Sequence, residues 1–198
     1  MLAEAERGGA PIVSAHTMKD MKRVVSLLPS ATEILARIGG VEMLVGRSHE
    51  CDFPIDPRGG LSEIPALTGQ KTGYDPGSGT DAAAVDAQVR AAMESSSALY
   101  TLDEELLVEL APDVILSQDL CDVCSIDLGS VRAAARRIGE KAGREPEVIA
   151  LASETIEGVW DDHLLVGKAV GLAEQASRAV FEMRSRWIAA ESFVNPYT

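Results

Sequence analysis

Residues 113–124, Asp113-Val-Ile-Leu-Ser-Gln-Asp-Leu-Cys-Asp-Val-Cys124, constrain the fold more than any other stretch. The short aliphatic run Val114-Ile115-Leu116 presents no polar face, the pattern of a strand covered on both sides in a parallel sheet. It runs into a polar turn that carries two thiols, and helical spacing resumes at Val131, Ala135 and Ile138. A strand that hands over to a helix in this way is a unit of an open α/β sheet. Ligands of such sheets bind outside the carboxyl ends of the strands. Arg47-Ser-His49-Glu-Cys51-Asp-Phe-Pro54 stands in the same relation to an earlier aliphatic run, so the two loops are expected at one rim.

The rest of the chain repeats the unit. Arg23-Val-Val-Ser-Leu-Leu28 reads as the first strand, stopped by Pro29. Ser30-Ala-Thr-Glu33 reads as a capping box for a helix that buries Ile34, Leu35 and Ile38 and ends at Gly39-Gly40. Met43 to Gly46 is the second expected strand. Residues 54–80 are rich in Pro, Gly and Asp and read as loop, with a short extended piece at Ile64-Pro-Ala-Leu67. Val85, Val89 and Met93 mark a helix over Asp81 to Met93. Thr101-Leu-Asp-Glu104 reads as a second capping box, for a helix carrying Leu106, Leu107 and Leu110 that Ala111-Pro112 breaks. A helix over about 127–139 and a strand over Glu147 to Leu151 follow. From Ile156 to Ala190 the spacing predicts one long helix, in which Gly158, Gly167 and Gly171 each cost about 1 kcal/mol relative to Ala. Its apolar surface exceeds what one sheet face needs, so it expects packing on two sides. The fold class is therefore α/β, a small parallel sheet with helices on both faces followed by one long helix. The expected organisation is a tail at 1–21, an α/β lobe at 22–155, the long helix at 156–191 and a second tail at 192–198.

Charge and motifs exclude several functions. A net charge of −13 disfavours nucleic acid and anionic membrane surfaces, whose phosphates it would repel. No apolar run reaches the roughly 20 residues of a transmembrane helix, so no membrane insertion is expected. The first twenty-three residues carry Glu4, Glu6 and Asp20 and no apolar core of a signal peptide, which predicts a cytoplasmic protein with reduced cysteines. There is no Gly-Lys-Ser/Thr phosphate loop and no Gly-x-Ser-x-Gly elbow, and the chain is read as a non-enzyme.

The expected rim brings chemistry together. His49, Cys51, Cys121 and Cys124 supply one imidazole and three thiols, a tetrahedral set that suits zinc. The plain alternative is small buried cysteines beside a hydrogen-bonded histidine. A third role for these residues is contact with the cobalt or side chains of a corrinoid. Cys121-x-x-Cys124 before a helix also fits thiol–disulfide exchange, although Asp119 and Asp122 oppose thiolate formation. Ser30 starts the first helix, either as its cap or beside backbone N–H groups that hold an acidic ligand group. Asp52 and Asp119 lie at the same rim, to orient a ligand or to stabilise turns. Trp160 and Trp187 read as packing residues of the long helix, and His163 as a solvated one.

Three segments together resemble a known family. They are Arg23-Val-Val-Ser-Leu-Leu-Pro-Ser-Ala-Thr-Glu33 with its Gly-Gly, Leu44-Val-Gly-Arg-Ser-His-Glu-Cys-Asp-Phe-Pro54, and Tyr100-Thr-Leu-Asp-Glu-Glu-Leu-Leu-Val-Glu-Leu-Ala-Pro-Asp-Val-Ile-Leu116. In this order they resemble the vitamin B12 and iron-siderophore binding proteins, the class III substrate-binding proteins of ABC transporters. The cysteine-bearing loops are similar to those of the cobalamin-binding subgroup. The resemblance covers roughly residues 22–190. It implies two lobes joined by a long rigid helix with ligand in the cleft between them, and here only the first lobe and the joining helix are expected. The implied partner is a small-molecule metal chelate. The ligand residues expected at the rim are Pro29, Ser30, His49, Asp52, Asp119, Cys121 and Asp122, with cobalamin as the ligand; the alternative is a zinc-binding or thiol-redox protein that uses the His49, Cys51, Cys121 and Cys124 set. A helix built to pack on a second lobe would leave Phe181, Trp187 and Ile188 as an apolar patch, so self-association through it is expected.

Overall fold

A computed structural model describes residues 21–53, 60–72, 81–95, 99–119 and 126–194. The elements run β1 (Val24–Ser26), α1 (Pro29–Arg37), β2 (Leu44–Arg47), β3 (Thr68–Gln70), α2 (Ala82–Ser95), β4 (Tyr100–Leu102), α3 (Glu104–Leu110), β5 (Val114–Gln118), α4 (Leu128–Ala142), β6 (Glu147–Leu151), α5 (Ile156–Val170) and α6 (Ala173–Val194).

Four strands form one parallel sheet in the order β2-β1-β5-β6. Successive side chains of a strand point to opposite faces, and here both faces are covered. Val24, Val114, Leu116, Ile149 and Leu151 meet α1, α5 and α6 on one face. Val25 and Ile115 meet α3 and α4 on the other. This is why the strands read as unbroken apolar runs. The chain leaves β1 for β2 on one side, then returns to β5 on the other. The switch point of the sheet is therefore the seam between β1 and β5, where Ser26 pairs with Leu116 and Leu27 N–H donates to the Leu116 carbonyl at 2.9 Å.

A second, two-stranded antiparallel sheet joins β3 to β4, pairing Thr68 with Leu102 and Gln70 with Tyr100. It grows from the end of β2. Arg47 N–H donates to the Pro65 carbonyl at 3.0 Å and Leu67 N–H to the Arg47 carbonyl at 2.8 Å. The extended piece expected at Ile64 to Leu67 thus gives way to a strand three residues long at Thr68–Gln70. Its partner is made of residues expected to cap a helix.

Four local expectations are corrected. Thr101 lies in β4, and the cap of α3 is Asp103, whose carboxylate accepts from Leu106 N–H at 2.9 Å. Ser30 does not cap α1: Pro29 occupies the first turn, where its missing N–H is no loss, and the cap position is Leu28 with no side-chain hydrogen bond. The stretch from Ile156 to Ala190 is not one helix. It divides at Gly171, which takes φ +82 and closes α5 with a left-handed cap. The two helices fold back antiparallel on each other, with Gly167 against Ala176 and the Arg184 guanidinium 4.8 Å over the Trp160 ring. α6 is the long C-terminal helix, 22 residues. The division also buries His163 at 5 % exposure, where a solvated residue was expected. Trp160 is buried, as a packing residue should be.

Candidate functional site

The seam fixes which residues can share a site. The carboxyl ends of β1, β2 and β5 bring Leu27, Leu28 and Pro29, then Ser48, His49 and Glu50, then Ser117 and Gln118 to one rim. β3 and β4 lean over this rim and add Thr68 and Tyr100, and Ile126 closes it. The resulting cavity is about 50 Å³. Four aliphatic side chains line it beside seven that carry imidazole, phenol, hydroxyl, carboxamide or carboxylate groups.

Hydrogen bonds hold the 48–51 loop rigidly. The Arg47 Nε donates to the carbonyls of Leu61 and Ile64 at 2.8 and 3.1 Å, and its Nη1 to those of Ser48 and Cys51 at 3.0 and 3.3 Å. The His49 ring is fixed on two sides. Its Nδ1 lies 2.6 Å from Thr68 Oγ1, and its centroid is 5.4 Å from that of Tyr100 at 59°. Tyr100 Oη in turn donates to Glu50 Oε1 at 3.0 Å. Among the described residues His49 Nε2 makes no hydrogen bond.

Pro29 and His49 line the rim, and Asp119 is exposed at the end of β5, where its N–H donates to the Leu151 carbonyl at 3.0 Å. Asp52 is exposed in the loop after β2. Ser30 is exposed and faces a different, larger groove of about 540 Å³ between α1, α5 and α6, which Phe53, Asp162, His163 and Met183 also line. There His163 Nδ1 donates to the Val159 carbonyl at 2.7 Å, and burial lowers its pKa.

His49 and Cys51 do not aim at a common point. His49 turns to β3 and β4, whereas the Cys51 thiol is buried 3.0 Å from Thr32 Oγ1 on α1. Burial also pushes the Cys51 pKa up, against the Thr32 hydrogen bond. Cys121, Asp122 and Cys124 lie outside the described residues. Among the described residues no group of three His, Cys, Asp or Glu side chains is placed to hold a metal ion. Sequence reasoning missed Thr68, Tyr100 and Arg47. Arg47 alone carried a signal, an arginine directly before the His49 loop.

The parallel sheet with its switch-point rim, the helices on both faces and the long helix that follows share their fold with about half of several solved periplasmic binding proteins. The periplasmic heme-binding protein RhuT from Roseiflexus sp. RS-1 matches with a TM-score of 0.59 at 17% identity, over 90% of this chain and 52% of its own. A periplasmic heme binding protein from Pseudomonas aeruginosa gives 0.55 at 20% identity, over 86% and 48%. The periplasmic vitamin B12 binding protein BtuF of Vibrio cholerae gives 0.51 at 17% identity, over 85% and 49%. The chain thus spans about half the length of these structures. No family model matches the sequence, and no curated protein does. Among the described residues no helix is long and apolar enough to cross a membrane.

Proposed function

We propose that the chain is a non-enzymatic binding protein for a metal chelate of the cobalamin or heme type, which rests on the carboxyl edge of the sheet over the seam between β1 and β5. The observation that carries this reading is the rim itself. A switch point is where open α/β sheets take ligands, and this one offers apolar wall from Leu27, Leu28 and Ile126 beside the imidazole of His49 and the phenol of Tyr100. The fold match supports it, since the matched structures are described as heme- and vitamin B12-binding proteins. A working place in the periplasm goes with that match, in preference to the cytoplasm expected from the sequence.

The cavity of about 50 Å³ is far below the roughly 300–1,000 Å³ of pockets that enclose a ligand. The chelate therefore lies against this edge as against one wall. Affinity for the chain alone is then modest, because little of the ligand surface leaves water. Equilibrium dialysis of the full chain against cyanocobalamin and against hemin tests the reading. Saturable retention of either at micromolar concentration is the expected result. Retention of neither, with stoichiometric zinc recovered on the purified chain, would overturn it in favour of a metal or thiol function.

A further inference from the structure

We infer that the groove between α1, α5 and α6 is a second binding site, for a small organic ammonium with an apolar body such as an arylalkylamine. No residue lines both this groove and the seam rim, so the inference stands apart from the chelate reading.

The first observation is a histidine buried against an open space. His163 is 5% exposed, and its Nδ1 lies 2.7 Å from the Val159 carbonyl oxygen. A carbonyl only accepts, so the proton of the neutral imidazole is on Nδ1 and Nε2 carries a lone pair. Burial keeps this imidazole neutral at neutral pH. Among the described residues Nε2 has no hydrogen-bond partner, yet it is not one of the polar atoms sealed from solvent. The space it opens on is the groove, of which His163 forms part of the wall. That groove is about 540 Å³, within the roughly 300–1,000 Å³ of small-molecule pockets. Water can satisfy Nε2 there. An occupant that displaces the water and brings no donor leaves the lone pair unpaired and loses affinity. The occupant must therefore carry a hydrogen to give.

The charges beside His163 select a cation. Asp162, its neighbour on α5, accepts from the Ser153 hydroxyl at 2.5 Å, and Glu33 adds a second carboxylate from α1. Arg37, the cation among the described lining residues, is exposed and forms an ion pair with neither, so one negative charge is left over. A cleft with an excess of one sign concentrates the opposite one. Since the described residues bring no three His, Cys, Asp or Glu groups together for a metal ion, the cation is one held by its hydrogens. An ammonium has three, enough for Nε2 and for the carboxylates. The rest of the wall is apolar, from Ile34, Val41, Phe53, Val159 and Met183. Past Val159 and Met183 an apolar trough runs on to Trp160 and Trp187. An alkyl or aromatic body on the ammonium fits that half.

Titration of the full chain with 2-phenylethylammonium tests the site, read at the His163 ring by long-range ¹H–¹⁵N correlation and at the Trp187 indole N–H. Saturable shifts of both at about 1 mM or below are expected. 2-Phenylethanol keeps the body and loses the charge, and ethylammonium keeps the charge and loses the body; each should bind at least about tenfold more weakly. Asp162→Asn keeps an acceptor for the Ser153 hydroxyl and removes the charge. It should weaken 2-phenylethylammonium about tenfold. His163→Leu, read at Trp187, should weaken it by a similar factor; if that variant does not fold, Asp162→Asn decides. The absence of a saturable shift in the wild type would overturn the inference. So would full affinity in either folded variant. Equal binding of ethylammonium would do the same, since it marks general attraction to a chain of net charge −13.

Discussion

Gly167→Ala distinguishes a helical hairpin from a continuous helix by the sign of its effect. In the interior of one uninterrupted helix, Ala in place of Gly raises stability by about 1 kcal/mol. In the structure a Cβ on Gly167 would lie 2.3 Å from Ala176 Cβ and 3.0 Å from the Leu172 carbonyl oxygen. Carbon atoms in contact prefer about 3.5–4.0 Å, and neither a Cβ nor a backbone carbonyl has a rotamer with which to retreat. The helices must part across a contact that buries Val166, Val170, Ala176, Ala179 and Val180. Overpacking of this kind costs about 1–3 kcal/mol, here toward the upper end. The propensity gain offsets about 1 kcal/mol of it. A net loss of about 1–2 kcal/mol is expected, a fall in Tm of about 2–8 °C for a chain of this size. Urea denaturation followed by circular dichroism measures it, with a shift in midpoint at unchanged slope. Ala176→Gly in the Gly167→Ala background should restore most of the loss, although Ala176→Gly alone costs about 1 kcal/mol. A Gly167→Ala chain as stable as the wild type, or more so, would refute the close crossing of α5 and α6.

The remaining predictions concern titration, capping and surface. Burial, seconded by Arg37, holds the His163 pKa below the ordinary imidazole value of 6.5. The unfolded chain then takes up the proton first, so stability present above about pH 6.5 is lost as pH falls through the folded value; in His163→Gln the stability–pH curve should be flatter over that window. Asp127 caps α4, and the Ser130 N–H and hydroxyl, with Gly129 N–H, hold its pKa below 3.8. Asp127→Ala should cost about 1 kcal/mol at neutral pH, and the gap from wild type should narrow in acid unfolding as pH falls through the folded value. Phe181, Ile188 and Phe193 on α6 are 71%, 61% and 87% exposed. Sedimentation should show self-association at raised concentration and its loss in a Phe181→Lys, Ile188→Lys variant; a monomeric wild type would count against it.

The parallel sheet and the helices on its two faces were legible in the sequence because each is written locally. Val24-Val25 and Val114-Ile115-Leu116 have no polar alternate, which only a doubly covered strand tolerates. The spacing of Ile34, Leu35 and Ile38 and of Val131, Ala135 and Ile138 repeats with the helix, and all six are buried. From the order of these units came the rim, and with it the place of the His49 loop. What the sequence could not show is what depends on contacts distant along the chain. A strand of three residues such as β3 or β4 has too few positions to display a period, and Thr68 joins the rim only because Pro65 and Leu67 pair with the end of β2. Gly171 reads as a weak helix residue until the chain turns there, since a glycine is equally at home in either conformation. The small side chain of Ala176 opposite Gly167 is what lets the two helices meet, and no local pattern reports an opposing partner. His49 and Cys51, two residues apart, looked like one ligand pair. By itself the sequence determined that the His49 loop comes to the sheet's carboxyl edge, because strand and helix periods are local; only the tertiary structure decided that the imidazole faces Thr68 and Tyr100 while the thiol sinks against Thr32, because the direction of a side chain is set by the surfaces packed around it.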